Sequence, residues 1–90
     1  MGLFKFNNII KLKENHDIKG LVKLLSHRDY MTRIDAAKAL GDVNASDAVD
    51  SLILQMQDES KEVRKTVAES LGKIGNPKAV ESLNNMLLKN

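Results

Sequence analysis

The chain has 90 residues, 42% of them hydrophobic and 29% charged, which is the composition of one small globular domain. It contains no cysteine, which excludes disulfides, thiolate metal sites and cysteine nucleophiles and suits the reducing cytoplasm, where we expect the protein. The net charge of +2 is uneven, because residues 1–30 and 61–90 each carry six Lys or Arg against three Asp or Glu, and residues 31–60 carry two against six, which excludes a single continuous basic face.

The first segment, residues 1–16, is predicted to be an N-terminal cap on the rest of the chain. Residues 8–14 predict a short helix that turns Ile9 and Leu12 inward, and residues 1–7 are expected to be loosely ordered. A lone helix follows in residues 17–28, where Asp17 is the expected N-cap. Its apolar stripe consists of Ile18, Leu21, Val22 and Leu25.

Residues 29–59 predict a pair of helices. The first begins at Asp29 and ends near Asn44, a residue that tolerates the left-handed conformation typical of helix ends. Its expected stripe consists of Met31, Ile34, Ala37 and Leu40. Ser46 or Asp47 is expected to cap the second helix, whose stripe consists of Val49, Leu52, Ile53 and Met56.

Residues 60–90 predict a second pair of the same kind. Ser60 is the expected N-cap of a helix that ends at Gly75, and its stripe consists of Val63, Val67, Leu71 and Ile74. Asn76 and Pro77 then begin the last helix, since proline is favoured at the first helical position. Its expected inward residues are Val80, Leu83 and Leu87.

The two pairs repeat each other in sequence. Residues 36–52 (AAKALGDVNASDAVDSL) and 67–83 (VAESLGKIGNPKAVESL) align without a gap and are identical at seven of seventeen positions. The two stretches are 31 residues apart, and a fixed period of this length is typical of an array of supersecondary units. No segment shows the alternation of apolar and polar residues that is typical of a β-strand. The sequence therefore predicts an all-α fold, a short α–α superhelix of about six antiparallel helices in a single domain.

The repeated residues resemble the HEAT-like repeat first associated with phycobilisome lyases. The resemblance covers residues 17–90 and is carried by Arg64, Ala68, Leu71, Gly72, Ile74, Gly75, Ala79, Val80 and Leu83, and by Arg33, Ala37, Leu40, Gly41, Val43, Ala48, Val49 and Leu52. It implies a HEAT-like solenoid, whereas function stays open because this repeat serves enzymes, adaptors and scaffolds.

Several repeated residues are interpreted as structural. Arg33 and Arg64 are expected to lie along helix seams and to pair with a turn carboxylate, for which Asp29, Asp58 and Glu59 are available. The remaining structural positions are Gly41 and Gly72, where helices are expected to approach closely, Gly75 and Pro77.

The sequence gives little support to an enzyme. His16 and His27 stand apart and are interpreted as solvent-facing, so no metal site is predicted, and the serines are explained by caps and small-residue packing. We therefore expect no catalytic residue, no cofactor and no small-molecule ligand. The longest apolar run, Leu52–Leu54, is too short for a membrane span, so no membrane association is expected either.

The second helix of each pair is expected to present the binding surface. Its outward positions form the rows Lys19, Asp50, Glu81 and Lys23, Leu54, Asn85, in which Leu54 lies outside the buried stripe. These residues predict a non-catalytic module or scaffold that binds a protein, with weak homodimerisation as a further expectation. The alternatives are an accessory subunit of a lyase-like enzyme complex, and a nucleic-acid-binding HEAT-like module, which the acidic middle third disfavours.

Overall fold

The structure, a computed structural model, describes the backbone of residues 2–89 and the side chains of residues 8–81, 83–85 and 88. Within this part it contains six α-helices, one 3₁₀ turn and no strand, which confirms the all-α prediction. The helices are α1 (Gly2–Glu14), α2 (Ile18–Leu24), α3 (Tyr30–Asp42), α4 (Val49–Gln55), α5 (Lys61–Ile74) and α6 (Pro77–Lys89), and the 3₁₀ turn is Ser46–Ala48.

The helices pack in two layers. In the first layer α3 lies between α1 and α5, and its contact with α5 is the most extensive in the molecule. In the second layer α4 packs against α6, while α2 approaches α4 through the 3₁₀ turn. The core lies between the layers, and its fully buried large residues are Leu21, Leu25, Leu40, Leu52, Leu71, Val63, Val67 and Thr32.

The central helix α3 differs from the predicted stripe because it is packed on several sides. Ala36 and Ala39 are buried together with Ala37 and Leu40, whereas Met31 is 52% exposed. Since α1, α2 and α5 all contact α3, small side chains on several of its faces let these neighbours approach. A single-stripe pattern identifies the helix but underestimates how much of its circumference is covered.

Both ends of α5 and the start of α6 agree with the predicted start and stop residues. The Ser60 hydroxyl accepts the N–H of Val63 at the start of α5, and Gly75 ends that helix in the left-handed conformation with φ of 67°. Asn44, its equivalent in the preceding repeat, has φ of 54° at the end of α3. Asn76 begins α6 by accepting the N–H of Lys78 through Oδ1.

Three predictions about helix ends and inward residues are corrected. Helix α1 begins at Gly2, so it starts six residues before the helix predicted for residues 8–14. Neither Ser46 nor Asp47 caps α4 through its side chain, because residues 46–48 form the 3₁₀ turn before α4 begins at Val49. Val80, expected to be inward, is 45% exposed. The prediction for Leu87 lies outside the described side chains.

Candidate protein-binding face

The six residues predicted to bind a partner lie on the second layer. Two come from each of α2, α4 and α6, and every one of them is exposed. We call this set the second-layer face; its members are Lys19, Lys23, Asp50, Leu54, Glu81 and Asn85. Helices α2 and α4 bury Leu21 and Leu52 on the side opposite to these residues, which fixes the outward positions of the face on both helices.

Leu54 is the apolar residue of the second-layer face. Its side chain is 75% exposed, although α4 also contributes the fully buried Leu52 and the 3% exposed Val49 to the core. A partner protein could bury this side chain without disturbing the core. Complete burial of a leucine side chain contributes about 1.5–3 kcal/mol of favourable free energy.

One ion pair crosses the face. Lys78 Nζ lies 2.7 Å from Asp50 Oδ1 and joins the start of α6 to α4. Both side chains are mostly exposed, so the pair contributes little stability. Through this contact Lys78 lies beside the predicted binding residues, but no sequence pattern identifies it as one of them.

A groove beside the face separates α2 from the 3₁₀ turn and α4. It is open to solvent, and Ile18 and Val22 supply its apolar wall, while Asp17, Lys19 and Asp47 supply charge. The surface near the candidate face is therefore shallow and mixed in character, a shape suited to side chains of a protein rather than to an enclosed small molecule.

Arg33 and Asp58 form a buried ion pair that joins the turn before α3 to the turn before α5. Arg33 donates from Nε to Asp58 Oδ2 at 2.8 Å and from Nη2 to Asp58 Oδ1 at 3.1 Å, so the pair is bidentate. Its Nη1 donates to the carbonyls of His27 at 2.8 Å and Arg28 at 3.0 Å. The two side chains are 10% and 5% exposed, which makes this arginine a scaffold residue.

The Asp58 carboxylate accepts two further hydrogen bonds. Gln55 Nε2 donates to Oδ2 at 2.6 Å, and the N–H of Ser60 donates to Oδ1 at 2.8 Å. Burial raises the pKa of Asp58, but the hydrogen bonds from Ser60, Arg33 and Gln55, with the charge of Arg33, outweigh burial and hold the pKa below its ordinary value. Asp58 is therefore a structural anion.

His27 occupies the place in its turn that Asp58 occupies in the next repeat. Its Nδ1 accepts the N–H of Asp29 at 3.0 Å, just as Asp58 accepts the N–H of Ser60. His27 is partly buried, which corrects the prediction that it faces solvent, whereas His16 is exposed at the end of α1 with φ of 53°. The i to i+2 turn bond explains why a histidine fits there.

Two repeated glycines differ in their surroundings. A Cβ added to Gly41 would lie 2.7 Å from Ser70 Oγ and 2.9 Å from the Ser70 Cα, so α3 and α5 approach closely at this point. Ser70 Oγ also donates to the carbonyl of Ala37 at 2.6 Å. At Gly72, by contrast, a Cβ would have nothing within 4 Å, which differs from the predicted close approach.

No helix in residues 2–89 is long and apolar enough to cross a membrane. Among the described side chains, no group of three or more His, Asp or Glu residues is placed to hold a metal ion. These residues also leave no buried side-chain nitrogen or oxygen without a hydrogen-bond partner. The polar groups of the interior are thus satisfied by the scaffold itself.

Comparison with protein families supports the helical-repeat interpretation. Residues 18–90, which include α2 to α6, match the family described as HEAT repeats. No curated protein matches the sequence significantly. HEAT repeats commonly act as protein-interaction scaffolds and are typically non-catalytic. The match covers most of the chain, and the helix pairs agree with it, so the chain belongs to the HEAT repeat family.

Proposed function

We propose that this protein is a non-catalytic module that binds a partner protein through the second-layer face. The observation that carries the proposal is Leu54, 75% exposed on a helix whose other apolar residues serve the core. Lys23 on α2 and Asn85 on α6 are exposed at the predicted neighbouring positions of the same row. Protein interfaces usually have an apolar centre and a polar rim, which is the arrangement of Leu54 among these neighbours.

In the proposed mechanism the helices hold the face rigid before the partner arrives. Burial of Leu54 supplies affinity, and the charges around it select and orient the partner, since exposed charges affect specificity and association rate more than affinity. The face presents Lys19 and Lys23 on α2 and Glu81 on α6, so a complementary partner would carry acidic side chains toward α2 and basic ones toward α6.

The test is a pull-down from the native cell with the wild-type chain and single variants as bait. We expect Leu54→Asp and Lys23→Glu each to lose the specific partner. Met31→Asp is the matched control, because Met31 is also an exposed apolar residue but lies on α3 in the first layer. A partner retained equally by all three variants would contradict the proposed face.

We also propose a more specific family type, location and assembly. The Leu-Gly pair that recurs at residues 40–41 and 71–72, preceded by Ala39 and Ser70, supports the phycobilisome-lyase type of HEAT-like repeat, and the lack of cysteine supports a cytoplasmic location. The uneven charge supports a weak homodimer, which sedimentation at high concentration and low salt would detect.

An enzyme as the captured partner would favour the accessory-subunit alternative, and retention on heparin at low salt would favour nucleic-acid binding.

A further inference from the structure

The C-terminal end of the helix stack exposes positions whose equivalents in the preceding repeat are buried. We call this surface the end face. Arg33 is 8% exposed and Val49 3% exposed, whereas Arg64 is only partly buried and Val80 is 45% exposed. The pairs that become more open are Arg33 and Arg64, Ala37 and Ala68, Gly41 and Gly72, Val49 and Val80, and Leu52 and Leu83. The end face is defined by Arg64, Ala68, Gly72, Val80 and Leu83.

The structure itself shows what covers Arg33 and Gly41 of the earlier set, whereas α4, which carries Val49 and Leu52, contacts both α5 and α6. Asp58, in the turn before α5, binds the guanidinium of Arg33, and Ser70 on α5 lies against Gly41. Between these two contacts α5 buries Val63 and Val67 completely. The cover is therefore a helix with a carboxylate in its preceding turn and a small side chain twelve residues after that carboxylate.

Arg64 makes the carbonyl contact that Arg33 makes, but it lacks the carboxylate contact. Its Nη1 donates to the carbonyl of Asp58 at 2.6 Å, as Nη1 of Arg33 donates to the carbonyl of His27. In Arg33 the Nε and Nη2 groups bind the Asp58 carboxylate, but no described residue accepts a hydrogen bond from Nε or Nη2 of Arg64. The guanidinium is thus fixed on one side and open for a carboxylate on the other.

We propose that the end face binds a helix of a partner protein that reproduces this cover. The partner helix carries Asp or Glu in its preceding turn, apolar residues five and nine positions later, and Ser or Ala twelve positions later, the spacing of Asp58, Val63, Val67 and Ser70. The carboxylate binds Arg64, the small residue lies against Gly72, and the apolar residues cover Val80. This surface is separate from the second-layer face.

At the end face, charge favours a partner protein over a second copy of this chain stacked start to end. The segment that holds Asp58 and Ser70 is already bound within its own chain. The other end of the stack belongs to residues 1–30, which have the same excess of Lys and Arg as residues 61–90, so stacking of two copies start to end brings like charges together. An acidic turn on a partner helix complements Arg64 and avoids this repulsion.

The chain supplies its own probe for the test. A peptide of residues 55–75 contains the cover of Arg33 and Gly41, and a hydrocarbon staple that replaces Lys61 and Lys65, both exposed on α5, keeps the isolated peptide helical. Titration of this peptide into the full ¹⁵N-labelled chain should shift the amide signals of Arg64, Gly72 and Val80.

Variants identify the contact. We expect Arg64→Glu in the chain to weaken peptide binding about tenfold or more, and Asp58→Lys in the peptide to restore part of the loss, because the swap re-forms the ion pair with reversed sign. Ser70→Leu in the peptide should also weaken binding, since a larger side chain separates the two helices at Gly72. Leu54→Asp in the chain is the control and should leave peptide binding unchanged.

Four results would overturn the proposal. The first is no shift at Arg64, Gly72 and Val80 with excess peptide, and the second is equal binding by the Arg64→Glu chain. In the third, the same signals move with chain concentration before any peptide is added, which would assign the end face to a second copy. Shifts at Arg33 and Gly41 instead would mean that the peptide displaces α5, and would also count against the proposed site.

Discussion

At the scale of single residues, one carboxylate joins three elements. Asp58 binds Arg33 from α3, Gln55 from α4 and the backbone of Ser60 at the start of α5. Its side chain is 5% exposed, so removal of the carboxylate leaves a buried guanidinium without its counter-charge. Such a loss is costly because the remaining charge stays away from water.

The first prediction concerns this carboxylate. Asp58→Ala should lower the free energy of unfolding by about 2–4 kcal/mol, measured by urea denaturation at neutral pH. Asp35→Ala is the matched control, since Asp35 is an exposed aspartate on α3 outside the network, and it should change the free energy by less than about 0.5 kcal/mol. Equal effects of the two variants would mean that the Asp58 network contributes nothing specific.

The second prediction follows from the lowered pKa of Asp58. The ordinary value is 3.8, so the unfolded chain takes up a proton before the folded one does as the pH falls. The stabilisation from Asp58 is complete above the ordinary value and is lost as the pH falls through the folded pKa. In Asp58→Asn, urea midpoints between neutral pH and pH of about 3 should therefore decline less steeply than in the wild type.

Asp42 also contributes to the loss of stability at acid pH, and its contribution must be separated from that of Asp58. The Lys73 and Lys13 hydrogen bonds to Asp42 lower the pKa of Asp42 as well. Asp58→Asn should therefore reduce the acid sensitivity without removing it, and a variant that also carries Asp42→Asn should reduce it further. An unchanged slope in Asp58→Asn would contradict the assignment.

The residue-scale contacts were only partly predictable. The sequence indicates that a repeated arginine pairs with a turn carboxylate, but Asp29, Asp58 and Glu59 fit this expectation equally well. The choice of Asp58 depends on how α5 lies against α3, which is a contact between residues 25 apart. The turn bond of His27 was missed because histidine is not among the residues expected to cap a turn.

At the scale of helices, the glycine pair gives a third prediction. Gly41→Ala should lower the free energy of unfolding by about 1–2 kcal/mol, because the added Cβ meets the Ser70 backbone and the overpacking outweighs the gain in helix propensity. Gly72→Ala should raise it by about 0.5–1 kcal/mol, since nothing lies near the added Cβ. Thermal or urea unfolding measures both.

The two glycines occupy equivalent positions in the sequence, so their comparison separates packing from propensity. Both lie in helices, and neither has a positive φ. Equal effects of Gly41→Ala and Gly72→Ala would contradict the close approach of α3 and α5.

Helix identities and several helix ends were predictable from local chemistry. Ser60, Gly75 and Pro77 act within one turn of themselves, so the sequence pattern is sufficient to locate the ends of α5 and the start of α6. The 3₁₀ turn was missed because Ser46 and Asp47 are common caps, yet neither accepts a capping bond. The exposure of Val80 was missed because burial depends on which helix lies next in space.

At the scale of the whole molecule, the helices form a flat slab of 40 × 24 × 15 Å. A slab this thin has two broad faces and little interior depth. Surface contacts between segments that are distant in sequence therefore contribute to its stability. Asp42 provides one such contact, because Lys13 of α1 and Lys73 of α5 both bind its carboxylate, at 2.9 and 2.6 Å.

The fourth prediction concerns this three-residue contact. Asp42→Asn should lower the free energy of unfolding by about 0.5–1 kcal/mol at low salt, and by less at about 1 M salt, where exposed charges are screened. The lysine side chains are 43% and 60% exposed, which limits the effect. Asp50→Asn, with one exposed partner in Lys78, should have a smaller effect, and a larger one would contradict the prediction.

The exposure of the six residues of the second-layer face was predictable from helix periodicity, since outward positions repeat along each helix. The link between Lys78 and Asp50 was not, because it depends on how α6 lies beside α4. The end face likewise becomes visible only when the burial of equivalent residues is compared.

The buried arginine has a consequence for how the molecule comes apart. Arg33 binds the turn before its own helix and also the turn before α5, so it ties two successive helix pairs to one guanidinium. If α5 and its turn detached alone, Arg33 would keep its carbonyl partners but lose the neutralising carboxylate. The partly unfolded state would also expose Val63 and Val67, which α5 buries completely, and this loss makes it scarce, so we expect the two pairs to unfold as one cooperative unit rather than to fray from one end.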